Sequence, residues 1–135
     1  MRAIPVLIAL TVCGGLAGCQ APSKQDLAPA PCAAGTNDKD VSIQILYDDR
    51  GVPRAEPASC TVTPEKKVTW HTADGEKRCF ELVFKQGQPG EDAGAGAKDC
   101  DKKIKMKKVD ATTTYPYGIR ANGHEVDPEI IIRPN

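Results

Sequence analysis

The amino-acid sequence predicts an all-β fold, a Greek-key β-sandwich of about seven short strands. Three observations carry that expectation. Short runs alternate apolar with polar residues, turn-forming residues separate the runs, and no stretch after the first 18 residues shows a sustained helical stripe. Cysteines spread through the same region add a second expectation, that the sandwich is stapled by disulfides.

Each element has its own signal. Val41-Ser42-Ile43-Gln44-Ile45 alternates with the period of a half-buried strand, and Asp48-Asp49-Arg50-Gly51 offers a turn. Cys60-Thr61-Val62-Thr63 and Lys67-Val68-Thr69-Trp70 read as two strands joined around Pro64-Glu65. Asp74-Gly75 is a hairpin signal, because these residues tolerate positive φ, and it leads into an apolar strand from Cys79 to Phe84. Gln86 to Asp99 carries Gly87, Gly90, Gly94 and Gly96, with alanines as its only apolar side chains, and is expected to be a mobile excursion. Lys103-Ile104-Lys105-Met106-Lys107 alternates strictly, which turns Ile104 and Met106 inward and the lysines outward. Tyr115-Pro116-Tyr117-Gly118-Ile119 runs toward Asn122-Gly123, the strongest short-range hairpin signal. Glu129 to Arg133, centred on Ile130-Ile131-Ile132, reads as a strand buried on both faces or crossing an edge.

Composition narrows the function classes. The 135-residue chain is formally neutral, so no net basic field attracts nucleic acid at long range. Aromatic residues make up only 4% of it, which leaves the core to Val, Ile and Leu. Disulfides offset that modest core, each contributing about 2–4 kcal/mol. Of the six cysteines, Cys13 and Cys19 lie at the amino terminus, leaving Cys32, Cys60, Cys79 and Cys100. Three pairings are possible. Cys32–Cys60 with Cys79–Cys100 is favoured, because sequential bridges would pin the linker end and the Gly-rich loop. No close C-x₂-C pair suggests zinc, and no metal or other cofactor is expected.

Residues 1–18 read as a signal peptide. Arg2 supplies the positive start, Ala3 to Val12 the apolar run, and Cys13 to Gly18 the small-residue approach to a cleavage site. The run is shorter than the roughly 20 apolar residues of a membrane-spanning helix. Leu16-Ala17-Gly18-Cys19 resembles the lipobox of bacterial lipoproteins. That resemblance implies that the Cys19 sulfur receives diacylglycerol, that a peptidase cuts before Cys19, and that the freed amine is acylated. Several acyl chains together make a stable membrane anchor. Gln20, rather than aspartate, implies the outer membrane, with the folded part in the oxidising periplasm or at the cell surface. Residues 19–40, rich in Ala and Pro, read as a tether, and residues 41–135 as the sandwich domain.

A second resemblance covers Val62 to Arg133. Val62-x-Pro64, Val68-Thr69-Trp70 and Phe80-x-Leu82 resemble the early half of cupredoxin-like domains, and Tyr115-x-Tyr117 with Ile130-Ile131-Ile132 resembles their last strands. The implied fold is again a Greek-key sandwich. The family's copper centre takes two histidines, a cysteine and usually a weak methionine. Here Arg78 or Cys79 stands where the first histidine is expected, and the loop from Gly118 to Glu125 offers His124 with neither cysteine nor methionine. Electron transfer through copper is therefore not expected.

Other constellations are sparse. As a catalytic base, His71 would need a nucleophile and an orienting acid. Thr72 and Asp74 are neighbours in sequence, but adjacent strand residues point to opposite faces, so His71 reads as an exposed residue beside a buried Trp70. No nucleophile elbow, metalloprotease helix, phosphate loop or C-x-x-C pair occurs, so no catalytic residue is assigned and no enzyme is expected. Glu91, Asp92, Asp99 and Asp101 match no calcium loop and read as solvating charge. The run Lys102, Lys103, Lys105, Lys107 and Lys108 reads as an edge strand guarded by lysines, or as a cationic patch for an acidic partner. Tyr115 and Tyr117 share one strand face and read as a core pair or a corner-type tyrosine, ahead of a sugar-stacking platform. Lys103, Lys105, Lys107, Tyr117 and His124 form the candidate binding surface. The expected function is a non-enzymatic binding domain tethered in the cell envelope, with an envelope or exported protein as partner. One version is inhibition of, or immunity to, an exported enzyme. The alternative is a periplasmic metal-handling module using His71, His124, Met106 and the acidic loop.

Overall fold

A computed structural model describes residues 29–35, 39–91 and 100–135. Residues 1–28 and 36–38, which include the expected signal peptide, Cys19 and most of the expected tether, lie outside the described residues, as do residues 92–99 of the Gly-rich loop with Asp92 and Asp99.

Eleven strands follow one another along the chain: β1 (Ala33–Ala34), β2 (Asp40–Tyr47), β3 (Pro53–Glu56), β4 (Ser59–Val62), β5 (Lys67–Thr72), β6 (Glu81–Phe84), β7 (Gly90–Glu91), β8 (Asp101–Met106), β9 (Thr113–Ala121), β10 (His124–Val126) and β11 (Glu129–Ile132). No helix occurs among the described residues. The strands form a six-stranded and a five-stranded sheet. In the first, β2 pairs with β5 in parallel, and β5 pairs with β8 antiparallel. In the second, β9 carries β6 on one edge and β10 on the other, since both pair with Ile119 and Arg120. β11 continues the register of β10 along β9 and pairs on its far side with β4 in parallel. Connections after β3 pass repeatedly from one sheet to the other, so the expected all-β Greek-key sandwich is the observed architecture.

The alternating runs do what their period requires. In β2, Val41, Ile43 and Ile45 are buried while the residues between them are half-exposed, and in β8 Ile104 and Met106 are buried between outward lysines. The core lies between the sheets. Trp70 of β5 and Tyr117 of β9 have no exposed surface, and the indole Nε1–H donates to the Tyr117 hydroxyl at 3.0 Å. Their rings meet edge-on with centroids 5.6 Å apart, and Phe84 lies 5.5 Å from Tyr117. Burial pushes the Tyr117 hydroxyl well above the usual phenol range, so it stays neutral in the core. Three of the six aromatic side chains, Trp70, Phe84 and Tyr117, meet in this cluster.

The bridges are Cys32–Cys60 and Cys79–Cys100, the pairing favoured on sequence. The first fastens the incoming chain to the edge of β4, where Cys32 N–H also donates to the Thr61 carbonyl at 2.8 Å. Pro31, Cys32 and β1 are thus part of the sandwich, ahead of residue 41. The second bridge joins the entry to β6 with the entry to β8.

Several elements differ from expectation. β3 was not foreseen; it opens with Pro53, tolerated at a first strand position, and has only four residues. Asp74-Gly75 does form a turn, closed by a Glu76 N–H to Ala73 carbonyl bond of 3.0 Å, with Gly75 at φ 81°. It joins β5 to β6 across the sandwich and is no hairpin, because the two strands lie in different sheets. The start of the Gly-rich stretch is docked: Gly90 pairs with Met106, and a Cβ there would stand 1.9 Å from the Lys105 carbonyl oxygen. By contrast, Asn122-Gly123 forms the expected two-residue hairpin, with φ of 52° and 78° matching a type I′ turn.

Candidate functional site

The outer face of the six-stranded sheet is a regular grid, because pleating sends every second side chain to it. Register aligns Asp40, Lys67 and Lys105 in one row, with Glu91 beyond Lys105. The next row is Ser42, Thr69 and Lys103, and the third is Gln44, His71 and Asp101. Lys67, Lys103 and Lys105 are exposed, and none of the three has an ion-pair partner among the described residues. Lys67 and Lys105 are direct cross-strand neighbours, an arrangement in which like charges repel. Three lysines from two distant segments therefore converge at one end of the face, with Asp40, Glu91 and Asp101 around them.

His71 is half-buried, contrary to the exposed side chain expected. Its Nδ1 faces the Thr72 carbonyl at 3.0 Å, and its Nε2 lies 2.7 Å from Ser42 Oγ. A carbonyl only accepts, so the neutral ring carries its proton on Nδ1 and Nε2 accepts from the Ser42 hydroxyl. The pair has the contact of a nucleophile and base. However, Ser42 sits mid-strand, paired with Ala33 on one edge and Thr69 on the other. Its flanking backbone belongs to ladders on both sides, which leaves no pair of amides free to hold an oxyanion. The geometry supports a fixed polar contact on the grid.

The opposite end of the sandwich is braced by charge. Arg78 stacks over Tyr47 at 4.5 Å and makes two bonds to Glu76, 2.8 and 2.7 Å. These bonds hold the Glu76 carboxyl down at about 2. Lys85 bonds both Glu125 and Asp127, and Arg120 bonds Glu125 at 2.7 Å. The Lys85 and Arg120 cations together lower the Glu125 carboxyl. An open groove of about 840 Å³ lies here, lined by Lys77, Cys79, Phe80, Arg120 and His124. Within its lining, Arg120 and Glu125 pair with each other.

The candidate binding residues separate accordingly. Lys103 and Lys105 lie together on the grid. Lys107 follows the end of β8 and lies 5.2 Å from the Tyr115 ring centroid, so it does not belong to the grid. Tyr117 must be withdrawn from any surface: it is wholly buried and its hydroxyl accepts from Trp70. His124 is exposed beside the hairpin turn on the other sheet. Sequence reasoning missed Lys67 and Ser42. The alternation of Lys67, Thr69 and His71 could have revealed the first, whereas nothing local links Ser42 to a histidine 29 residues away.

The side chains among the described residues do not fit a blue-copper centre, which requires a thiolate. Cys32, Cys60, Cys79 and Cys100 are all consumed in disulfides. His71 and His124 belong to different sheets, and Met106 is buried. Among the described residues, no three His, Cys, Asp or Glu side chains cluster as metal ligands.

Fold and site together define a disulfide-stapled all-β sandwich that presents a lysine-bearing sheet face. No protein-family model matches the chain, and no curated protein matches it. Among solved structures, it is similar to pseudoazurin from Methylobacterium extorquens AM1, at 14% identity and a TM-score of 0.44, over 70% of this chain and 75% of that one. It is also similar to an amicyanin variant in its reduced state, at 14% identity and a TM-score of 0.43, over 76% of this chain and 90% of that one. At these scores the likeness carries no argument, and the sandwich assignment rests on the strand pairing itself.

Proposed function

We propose that this protein is a lipid-anchored binding module of the bacterial cell envelope. Cys19 carries the anchor, the Ala/Pro-rich segment is the tether, and the sandwich engages another envelope or exported protein without chemistry of its own. Inhibition of an exported enzyme, or immunity to it, is the particular form this takes. The observation that supports the reading is the grid on the six-stranded sheet. It is a face of hydrogen-bonded strands, displaying three lysines that have no carboxylate partner among the described residues. Side chains presented from paired strands are already placed before docking, which favours recognition.

Two measurements test this. Intact mass of the product made in a bacterial host should show diacylglycerol and an acyl chain on Cys19, with residues 1–18 removed; a bare cysteine sinks the anchor. Immobilised protein should retain the same envelope protein in repeated captures, and a partnerless protein in every attempt sinks the binding role.

A further inference from the structure

We infer that the docking face is the end of the six-stranded sheet centred on Lys67, Lys103 and Lys105, and that its partner is a protein surface with carboxylates at its centre and basic groups at its rim. This rests on the binding role proposed above and specifies its partner. The first argument is the pattern of charge. Lys67 and Lys105 stand side by side, Lys103 lies one row away, and carboxylates flank them: Asp40 beyond Lys67, Glu91 beyond Lys105, and Asp101 two rows along from Lys105. At the same end, Glu65 lies 3.8 Å from Lys108. Lys39 and Lys66 line a hollow with Lys105, and Lys107 and Lys108 another with Glu91, so the rim mixes both signs and a uniformly anionic lipid surface would match only part of it. A protein can match both signs, which is the arrangement that confers specificity at interfaces.

The second argument is the polar inlay. Thr69 stands opposite Lys103, and Ser42 and His71 are locked to each other beside it. These groups offer hydrogen bonds at fixed positions, suited to a partner with fixed donors and acceptors. The third is placement. The lysines reach the same face from segments more than thirty residues apart, so the patch is a product of the fold and not of a basic run. Edge protection accounts for Lys103 on β8, but Lys105 is paired in the ladder with Glu91 of β7, and Lys67 lies on β5, which is covered by β2 and β8 on its two edges.

The test uses the purified processed protein and a glutamate-rich peptide of about twenty residues as probe, read by calorimetry at low salt. Lys67→Gln/Lys103→Gln/Lys105→Gln should weaken binding about tenfold or more, with affinity falling steeply as salt rises. A control with the same charge change at the far end of the sandwich, Arg50→Gln/Arg54→Gln/Lys77→Gln, should weaken it less than about twofold. Circular dichroism establishes that each variant is folded, and Lys103→Gln alone, which alters one exposed side chain, should retain an intermediate loss. Equal losses in face and control variants would reduce the effect to net charge and overturn the inference. Binding to phosphatidylglycerol vesicles in preference to the peptide would also overturn it, in favour of a lipid surface. Glu91→Gln/Asp101→Asn should strengthen binding to the simple anionic peptide and weaken retention of the captured envelope protein; unchanged retention counts against the charged rim. Captures separate the two levels: none with the native protein removes the binding role itself, whereas undiminished capture by the lysine variant removes only this face.

Discussion

Replacing Tyr117 with phenylalanine tests the account of the core most directly. The substitution deletes one oxygen and leaves the ring packed between Trp70 and Phe84, at centroid separations of 5.6 and 5.5 Å. What it removes is the acceptor for Trp70 Nε1–H, at 3.0 Å, in a place where both side chains have no exposed surface. A buried donor left without a partner costs about 1–3 kcal/mol, more than the net value of the bond itself. With a urea slope of about 1–3 kcal/mol per molar, the midpoint should fall by roughly 1 M. Trp70 is the only tryptophan, so its emission reports this site during unfolding. A cycle sharpens the result. In a Trp70→Phe background no donor is stranded, so the same tyrosine change should cost less than about 0.5 kcal/mol, followed by circular dichroism. An unshifted midpoint, or equal costs in the two backgrounds, would refute the reasoning.

Three further outcomes are expected. Gly123→Ala places a Cβ on a residue at φ 78° in the hairpin turn, with nothing in contact to compensate, and should lower stability by about 1 kcal/mol in urea unfolding. Gly90→Ala brings a Cβ to 1.9 Å from the Lys105 carbonyl and should part β7 from β8, seen as faster amide exchange at the Lys107 N–H, which now bonds the Pro89 carbonyl at 2.8 Å. The third concerns acid. Bonds from Arg78 lower the Glu76 carboxyl to about 2, so its contribution is fully present above the unfolded value near 4.5 and is lost as pH falls toward 2. Denaturant midpoints should decline across that window, and the decline should be shallower in Glu76→Gln; an identical decline would mean that the pair contributes nothing.

Much of the fold was legible because strand period and turn chemistry are local. Alternation in 41–45 and 103–107 placed the correct residues inside, and Asn122-Gly123 turned where two positive φ values are needed. The spacing of Tyr115 and Tyr117 suits a core pair, and both are buried, which rules out the place on the binding surface also expected of Tyr117. Less was legible where an element is held by its neighbours. β3 and β7 are too short to show a period, and each exists because a partner strand supplies its ladder. The turn at Asp74-Gly75 is correct as a turn, yet which sheet the chain enters next is decided by the burial of Leu82 and Phe80 against the rest of the core.

The candidate site divides in the same way. Lys103 and Lys105 are visible as outward residues of one strand, because a period of two is a property of backbone geometry. Lys107 breaks that pattern, since the strand ends at Met106 and its side chain finds the Tyr115 ring. Tyr117 could not be assigned to surface or core by spacing alone, because both readings put it on the same strand face.

By itself the sequence determined the longer strands, most of the turns, the even set of cysteines and the inward and outward order of side chains along those strands, all set by interactions among near neighbours. Only the tertiary structure decided that Lys67 stands beside Lys105, that Ser42 meets His71 and that Tyr117 accepts from Trp70. Those contacts depend on which strands pair and in what register, and that is settled by burying one shared core between two sheets.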